Sequence, residues 1–297
     1  MSGFDKDWLA LREPFDQAAR SAELAADFVA ALGASVEPEI VDLGGGTAAN
    51  FRVLAPRIAR NQHWRLLDFD PLLLDHALDA VSEWAHFQGW EVLRTDARTL
   101  IVHAGAGRWS LSVEHFDLAV SLEAFPFESF DAVVTTAFLD LVSQDWIMRF
   151  SNCLAAARRP VLATLTVDGR RVWVPDDADD EWIESAFRLH QEGDKGFGMS
   201  LGVNATSALA QSLIQAGFEV RERASDWQID GGTEGGIEGG RDRAMLRQLL
   251  DDTARVAAEV HPEEVTRIGA WYRLRRGQIA RGELRYIVGH RDLLALP

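Results

Sequence analysis

Three consecutive glycines, Gly44-Gly45-Gly46, follow directly on the short apolar run Glu39-Ile40-Val41-Asp42-Leu43 and open onto a helical pattern from about Ala48 to Ala59. Glycine lets a strand turn sharply into a helix and lets a ligand approach where a Cβ would clash. The free N–H groups of the turn and of the helix start then face that ligand. A purely structural turn reads the same way, so the flanking residues have to decide between the two.

The flanking pattern alternates. A helix is expected over residues 14–32, with Pro14 in its first turn and Gly33 at its end. After the glycine turn come a strand at 64–67, a helix from Pro71 through Val81, and a hairpin at 99–113 around Gly105-Ala106-Gly107. Strands at 130–137 and 161–167 bracket a helix at 144–157. Asp168-Gly169 reads as a two-residue hairpin turn returning through residues 171–174. Later elements are a helix at 206–215, a strand at 218–227, helices near 242–260 and 262–281, and a last strand at 284–288. Alternating strands and helices predict an α/β fold with a Rossmann-like, mostly parallel sheet covered on both faces. Ligands of such sheets sit at the carboxyl ends of the strands, where strand order reverses.

Asp68 ends the second strand, 22 residues after Gly46, in Leu67-Asp68-Phe69-Asp70-Pro71. A carboxylate there suits the two hydroxyls of a ribose. Asp70, next to Pro71, fits the helix cap better, which leaves Asp68 for the ligand. On these residues the chain resembles the class I S-adenosylmethionine-dependent methyltransferases, small-molecule type. The family's first motif is matched by Asp42, Gly44 and Gly46, with Ala48 where a third glycine often stands. The resemblance implies a seven-stranded sheet with one antiparallel strand, and S-adenosyl-L-methionine as cofactor with S-adenosyl-L-homocysteine as product. It implies a cofactor site built from Asp42, Gly44, Gly45, Gly46, Thr47, Asp68 and Phe69. Asp117 and Leu118 would lie beside the adenine, with Asp96 a competing choice. Thr136 and Ala137 would close over the cofactor at the end of the fourth strand, and Arg12 would reach the methionine carboxylate from an N-terminal lid helix.

The organisation expected is one domain over 1–297, with a lid at 1–33, a substrate-side insertion at 168–205 and a glycine-rich, flexible loop at 229–241. The insertion is the expected acceptor pocket. His190 is the candidate base, and Gln191, Asp194, Lys195 and Phe197 are candidate substrate contacts. The acids from Asp176 to Glu181 suit either a cationic substrate or a helix start. His290 and Asp292 read as a buried polar pair.

The 46 acidic residues outnumber the 30 basic ones, for a formal net charge of -16, which opposes nucleic acid as a partner. Arg273, Arg275 and Arg276 read as a solvated helix face. A single cysteine, Cys153, excludes an intrachain disulfide and a cysteine zinc cluster, and no metal is expected. With no secretory signal and no run near the roughly 18 apolar residues of a membrane span, a cytoplasmic protein is expected. The function expected is methyl transfer to an oxygen, nitrogen or carboxylate of a small metabolite. Two alternatives stand beside it: a catalytically silent S-adenosylmethionine-binding regulator or scaffold, and an NAD(P)-dependent oxidoreductase. Gly44-x-Gly46-x-x-Ala49 also fits the dinucleotide fingerprint. Against the oxidoreductase stand Asp42 inside the motif and the lack of a Tyr-x-x-x-Lys.

Overall fold

The computed structural model describes residues 6–191, 193–232 and 236–297. In chain order these form α1 (Lys6–Ala19), α2 (Ala22–Ala31), β1 (Glu39–Leu43), α3 (Ala49–Ile58), β2 (Gln62–Asp68) and α4 (Pro71–Phe87). They continue with β3 (Glu91–Asp96), β4 (Thr99–Ala104), β5 (Gly107–His115), β6 (Ala132–Thr136), α5 (Gln144–Ala157) and β7 (Val161–Val174). The remainder is α6 (Asp180–Gln191), α7 (Ala205–Gln215), β8 (Glu219–Ala224), β9 (Trp227–Asp230), α8 (Gly236–Val260), α9 (Val265–Arg281) and β10 (Arg285–Leu296).

One sheet runs in the order β3-β4-β5-β2-β1-β6-β7-β10-β8, with β9 paired to β10. The five central strands β5, β2, β1, β6 and β7 are parallel. β10 is antiparallel to β7 and β8 on its two sides. The fold is therefore the expected α/β sheet with a reversed strand. The added strands are the outer pair β3 and β4, and β9.

Side-chain alternation along β1 explains both layers. Ile40 packs with α2, α3 and α4 through Phe28, Phe51 and Leu78, while Val41 and Leu43 pack on the opposite face with α5 and α7 through Phe150 and Leu213. A period of two puts Asp42 on the α3 side. The same count puts Thr136, at the end of β6, and Thr164, four residues into β7, on the α3-side face after Val134 and Leu162. A third cluster, with Phe15, Trp173, Ile183, Met245, Trp271 and Tyr286, joins α1, α6, α8 and α9 to the far halves of β7 and β10.

Four local expectations are corrected. The helix at 14–32 is two helices, because Ser21 starts a new one: its Oγ accepts from Leu24 N and its own N–H donates to Asp292 Oδ2 at 2.8 Å. Pro14 therefore lies inside α1. Asp168-Gly169 is not a hairpin turn but part of a bulge in a continuous 14-residue strand. Val167 pairs with His290 and Arg171 with Val288, so three β7 residues bow out against Gly289 alone. The glycine-rich loop is largely ordered structure, since Gly236, Gly239 and Gly240 lie in α8, and residues 233–235 lie outside the described residues. Arg275 is fully buried rather than solvated, and it donates to Asp180 Oδ1 and Oδ2 at 2.5 Å and to Pro175 O at 2.6 Å. Asp179 pairs with Arg267, so two of the acids at the start of α6 are held in intramolecular ion pairs.

Candidate active site

At the carboxyl end of β1 the glycine turn has the backbone its composition asks for. Gly44 and Gly46 are left-handed, at φ 60° and 52°, and Ala48 follows at φ 64°. A Cβ on Gly44 would stand 2.6 Å from Phe138 Cδ2, and one on Gly45 would stand 2.5 Å from Leu66 Cγ. Gly44→Ala combines the strain of a left-handed non-glycine residue with that collision. We expect it to lower stability by about 1–3 kcal/mol, read as a fall in the urea midpoint with unchanged slope.

Asp68 closes the turn from the neighbouring strand. Its Oδ2 accepts from Gly46 N at 2.9 Å and its Oδ1 from Asp70 N at 2.9 Å. Burial raises its carboxyl above the usual range against the pull of those two N–H groups. An ionised carboxylate has about four acceptor sites, so each oxygen keeps one for a ligand hydroxyl. Asp70 caps α4 by accepting from Leu72 N at 2.9 Å, as its place beside Pro71 suggests. Phe69 is 51% exposed, and its ring is tilted over His115 at 5.3 Å between centroids.

Beneath the turn lies a buried polar network. Asp42 is 1% exposed; its Oδ1 accepts from Asn50 Nδ2 at 2.8 Å, while its Oδ2 is buried with no partner among the described residues. Burial pushes its carboxyl up to about 7. Arg20, at the break between α1 and α2, donates to Asn50 Oδ1 (2.6 Å), Thr164 Oγ1 (3.0 Å) and Thr136 Oγ1 (3.0 Å). It ties the α1–α2 junction to the end of β6 and to the first residues of β7. No local sequence signal marks Arg20, because its partners lie up to 144 residues away.

α1 covers the turn from above. Leu9 Cδ1 is 3.8 Å from where a Cβ of Gly46 would be. Glu13 pairs with Arg52 at 2.7 Å, and Arg52 also donates to Thr47 O. Arg12 is held by Asp16 at 2.9 and 3.2 Å and lies over Trp227 at 5.0 Å, so it faces a cavity beside the turn.

That cavity, of about 210 Å³, lies under α1 beside the end of β6 and residues 165–171 of β7. Its wall includes Ala137 and Asp140 after β6, Phe187 of α6, Asp252 of α8, and Val288 and His290 of β10. Asp140 keeps Oδ1 out of water without a hydrogen-bond partner, and burial raises its carboxyl. His290 is 2% exposed, and Val288 O lies 3.0 Å from its Nδ1. A carbonyl can only accept, so Nδ1 carries the proton and Nε2 is the acceptor nitrogen. Burial lowers the ring's proton affinity to about 4. The unfolded ring binds a proton near 6.5, so His290 costs the folded state stability as pH falls from 6.5 toward 4. Relative to His290→Gln, the wild type is expected to lose about 2–3 kcal/mol over that window. Urea melts of both proteins at pH 7.5, 5.5 and 4.5 check this, and parallel profiles would refute it.

The other expected site residues are placed as follows. Asp117 accepts from Ala119 N and Val120 N in its own turn just after β5, and Leu118 O accepts from Trp146 Nε1. Asp96 ends β3, two strands further out than β5. Asp194 turns its loop by accepting from Gly196 N (2.7 Å) and Gly198 N (3.1 Å). Phe197 packs edge-on against Phe138 and Trp146. Asp194, Lys195 and Phe197 are not among the described residues lining the cavity. His190 and Gln191 end α6, and their side chains lie outside the described residues. His290, read as structural, lines the cavity. Asp292 is buried with its carboxylate on Ser21 N and Leu165 N, and His290 bonds Val288 O instead, so the two are held by different partners rather than by each other. The described residues contain no cluster able to hold a metal ion and no helix long and apolar enough to cross a membrane.

No family model matches the sequence, and no curated protein matches it. Among solved structures, the chain is similar to the cyclopropane synthase MmaA2 from Mycobacterium tuberculosis, at 12% identity and TM-score 0.48, over 98% of this chain and 94% of that one. It is also similar to a SAM-dependent methyltransferase from Thiobacillus denitrificans in complex with S-adenosyl-L-homocysteine (14% identity, TM-score 0.44, 99% of each chain). A third is a SAM-dependent methyltransferase from Geobacter sulfurreducens in the same complex (12%, 0.43, 100% of each chain).

Proposed function

We propose that this protein is an enzyme that transfers a methyl group from S-adenosylmethionine to a small molecule held in the cavity beside the glycine turn. One observation carries the reading: the glycine turn and the Asp68 carboxylate stand together at the carboxyl ends of β1 and β2, where the strand order reverses, and a cavity begins at Ala137, just past the end of β6. The residues fit the cofactor. Asp68 keeps acceptor sites for ribose hydroxyls, and Asp42 Oδ2 is a buried acceptor with no partner among the described residues. Phe69, exposed at the mouth, offers a ring face for the adenine. Asp117, directly after β5, is better placed for the adenine than Asp96.

S-adenosylmethionine supplies a methyl already activated by the sulfonium, so the protein's part is placement. Trp8, Trp227 and α1 shield the cavity, and Ala137 and Asp140 form its end nearest the turn. When the acceptor must lose a proton, Asp140 is the stronger candidate to take it. Burial raises its carboxyl, which makes the carboxylate a better proton acceptor, whereas burial lowers the His290 ring to about 4. His290 Nε2 is suited to orienting an N–H or O–H.

The dinucleotide reading is weaker. A doubly wound dinucleotide fold continues with parallel strands in its second half, whereas here the antiparallel β10 follows β7. The test is release of S-adenosylhomocysteine from S-adenosylmethionine in the presence of fractionated small-molecule extracts. Release that depends on an extract supports the reading. Tight cofactor binding with no release in any fraction would favour the silent binding protein.

A further inference from the structure

β7 carries one residue more than β10 where the two strands pass the cavity. Ala163 pairs with Leu293 and Thr166 with Arg291, so Thr164 and Leu165 stand opposite Asp292 alone. The pairing of β10 with β8 runs unbroken from Arg291 to Leu296, so the extra residue belongs to β7. Arg291 and Leu293, two residues apart on a regular strand, share a face, and their partners Thr166 and Ala163 share it with them. That is the α5 side, where Ala163 and Leu293 pack. Thr164 points the other way, to Arg20. Without the extra residue Leu165 would follow Ala163 onto the α5 side. With it, Leu165 and Val167 both line the cavity.

This redirection is strained and separately supported. Among the described residues five non-glycines have positive φ, and Ala48, Ala59 and Arg158 are helix ends. The other two, Leu165 at φ 58° and Ala137 at φ 48°, both line the cavity. They are neighbours, since Ala137 N donates to Thr164 O at 2.9 Å. A left-handed backbone strains any residue with a Cβ. Leu165 N donates to Asp292 Oδ1 at 2.8 Å, and Asp292, 1% exposed, also accepts from Ser21 N through Oδ2. The Leu165 side chain is fully buried, yet it joins none of the three apolar clusters formed by the described residues. Strain kept at a cavity wall, by a side chain outside the core, points to a role in the cavity.

We propose that Leu165 is a specificity-determining residue, turned into the cavity by the bulge so that its side chain limits the size of the acceptor. The inference rests on reading this cavity as the acceptor's seat. At about 210 Å³ the space is smaller than the 300 Å³ or so at which drug-sized pockets begin, so a single side chain decides what fits.

The test compares two probes that differ by one fused ring, phenol and 2-naphthol, titrated by calorimetry into the wild type, Leu165→Ala, Leu165→Gly and Leu162→Ala. Leu162→Ala removes the same side chain from the core of the same strand and serves as the control. The affinity ratio of 2-naphthol to phenol is expected to rise about tenfold or more in both Leu165 variants and by less than about threefold in Leu162→Ala. Glycine suits φ 58°, so Leu165→Gly should melt above Leu165→Ala, the reverse of the usual order inside a strand. The proposal falls if the ratio stays flat in the Leu165 variants, if Leu162→Ala shifts it as much, or if neither Leu165 variant binds 2-naphthol. An alanine variant that melts above the glycine variant would overturn the strained, redirected backbone on which it stands. S-adenosylhomocysteine titrated into the same samples keeps the two readings apart. If it binds while the ratio stays flat, only the role of Leu165 is wrong; if it fails to bind, the methyl-transfer reading falls while the ratio still decides for or against Leu165.

Discussion

Replacing Asp68 by alanine is expected to weaken S-adenosylhomocysteine binding by about a hundredfold or more while leaving the fold intact. Hydrogen bonds to a charged group contribute about 1.5–3 kcal/mol each, and two ribose hydroxyls on one carboxylate bring the loss to about 3 kcal/mol or above. Tenfold in affinity is about 1.4 kcal/mol. Asp68 also accepts from Gly46 N and Asp70 N. Both N–H groups lie near the surface, where water can replace the carboxylate, so the stability cost is the smaller effect. Asp68→Asn separates the two roles, because the amide oxygen can still accept from one N–H while the charge is gone. An affinity loss of less than about fivefold in Asp68→Ala would remove Asp68 from the ligand site.

Glu184→Ala should destabilise the protein more than any other single change considered, by about 3–5 kcal/mol. Glu184 is 1% exposed and accepts from Arg171 Nε at 2.5 Å, Trp173 Nε1 at 2.6 Å and Tyr286 OH at 2.9 Å. Removing it leaves a buried guanidinium without its counter-charge, plus an indole N–H and a phenol without their acceptor. Because typical domains are stable by only about 5–15 kcal/mol, the variant should melt much earlier or fail to accumulate. Glu184→Gln keeps an acceptor for part of the set and is expected to lose less. Equal stability of Glu184→Ala and wild type in urea would contradict the described network. The prediction also bears on function, since Glu184 holds Arg171 against the cavity wall.

The glycine turn and its two acids were legible because their determinants are local. A glycine turn needs adjacent glycines, Asp68 and Asp70 divide strand end from helix cap, and α5 and α7 follow plain 3.6-residue periodicity. The cavity was not. It is assembled from α1, the loop after β6, β7, α6, β9, α8 and β10, segments that are distant in sequence, and nothing at Asp140 or His290 alone announces that they meet. Asp168-Gly169 carries the composition of a hairpin turn, but pairing of both halves of β7 with β10 outweighs that local preference and leaves a bulge. Arg20 and Arg275 look like surface arginines until Asn50, Thr136 and Thr164, or Asp180, are brought to them by the tertiary fold. The glycines at 236, 239 and 240 suggest a loop, yet they sit at the start of a 25-residue helix whose later turns bury Met245, Leu246 and Leu250.

The ligand at the glycine turn is identified by calorimetric titration of the purified protein with S-adenosylhomocysteine and, separately, with NADH. Micromolar binding of S-adenosylhomocysteine with a stoichiometry of one, and no heat with NADH, is the predicted result. Binding of NADH in preference to S-adenosylhomocysteine, or of neither, would contradict it.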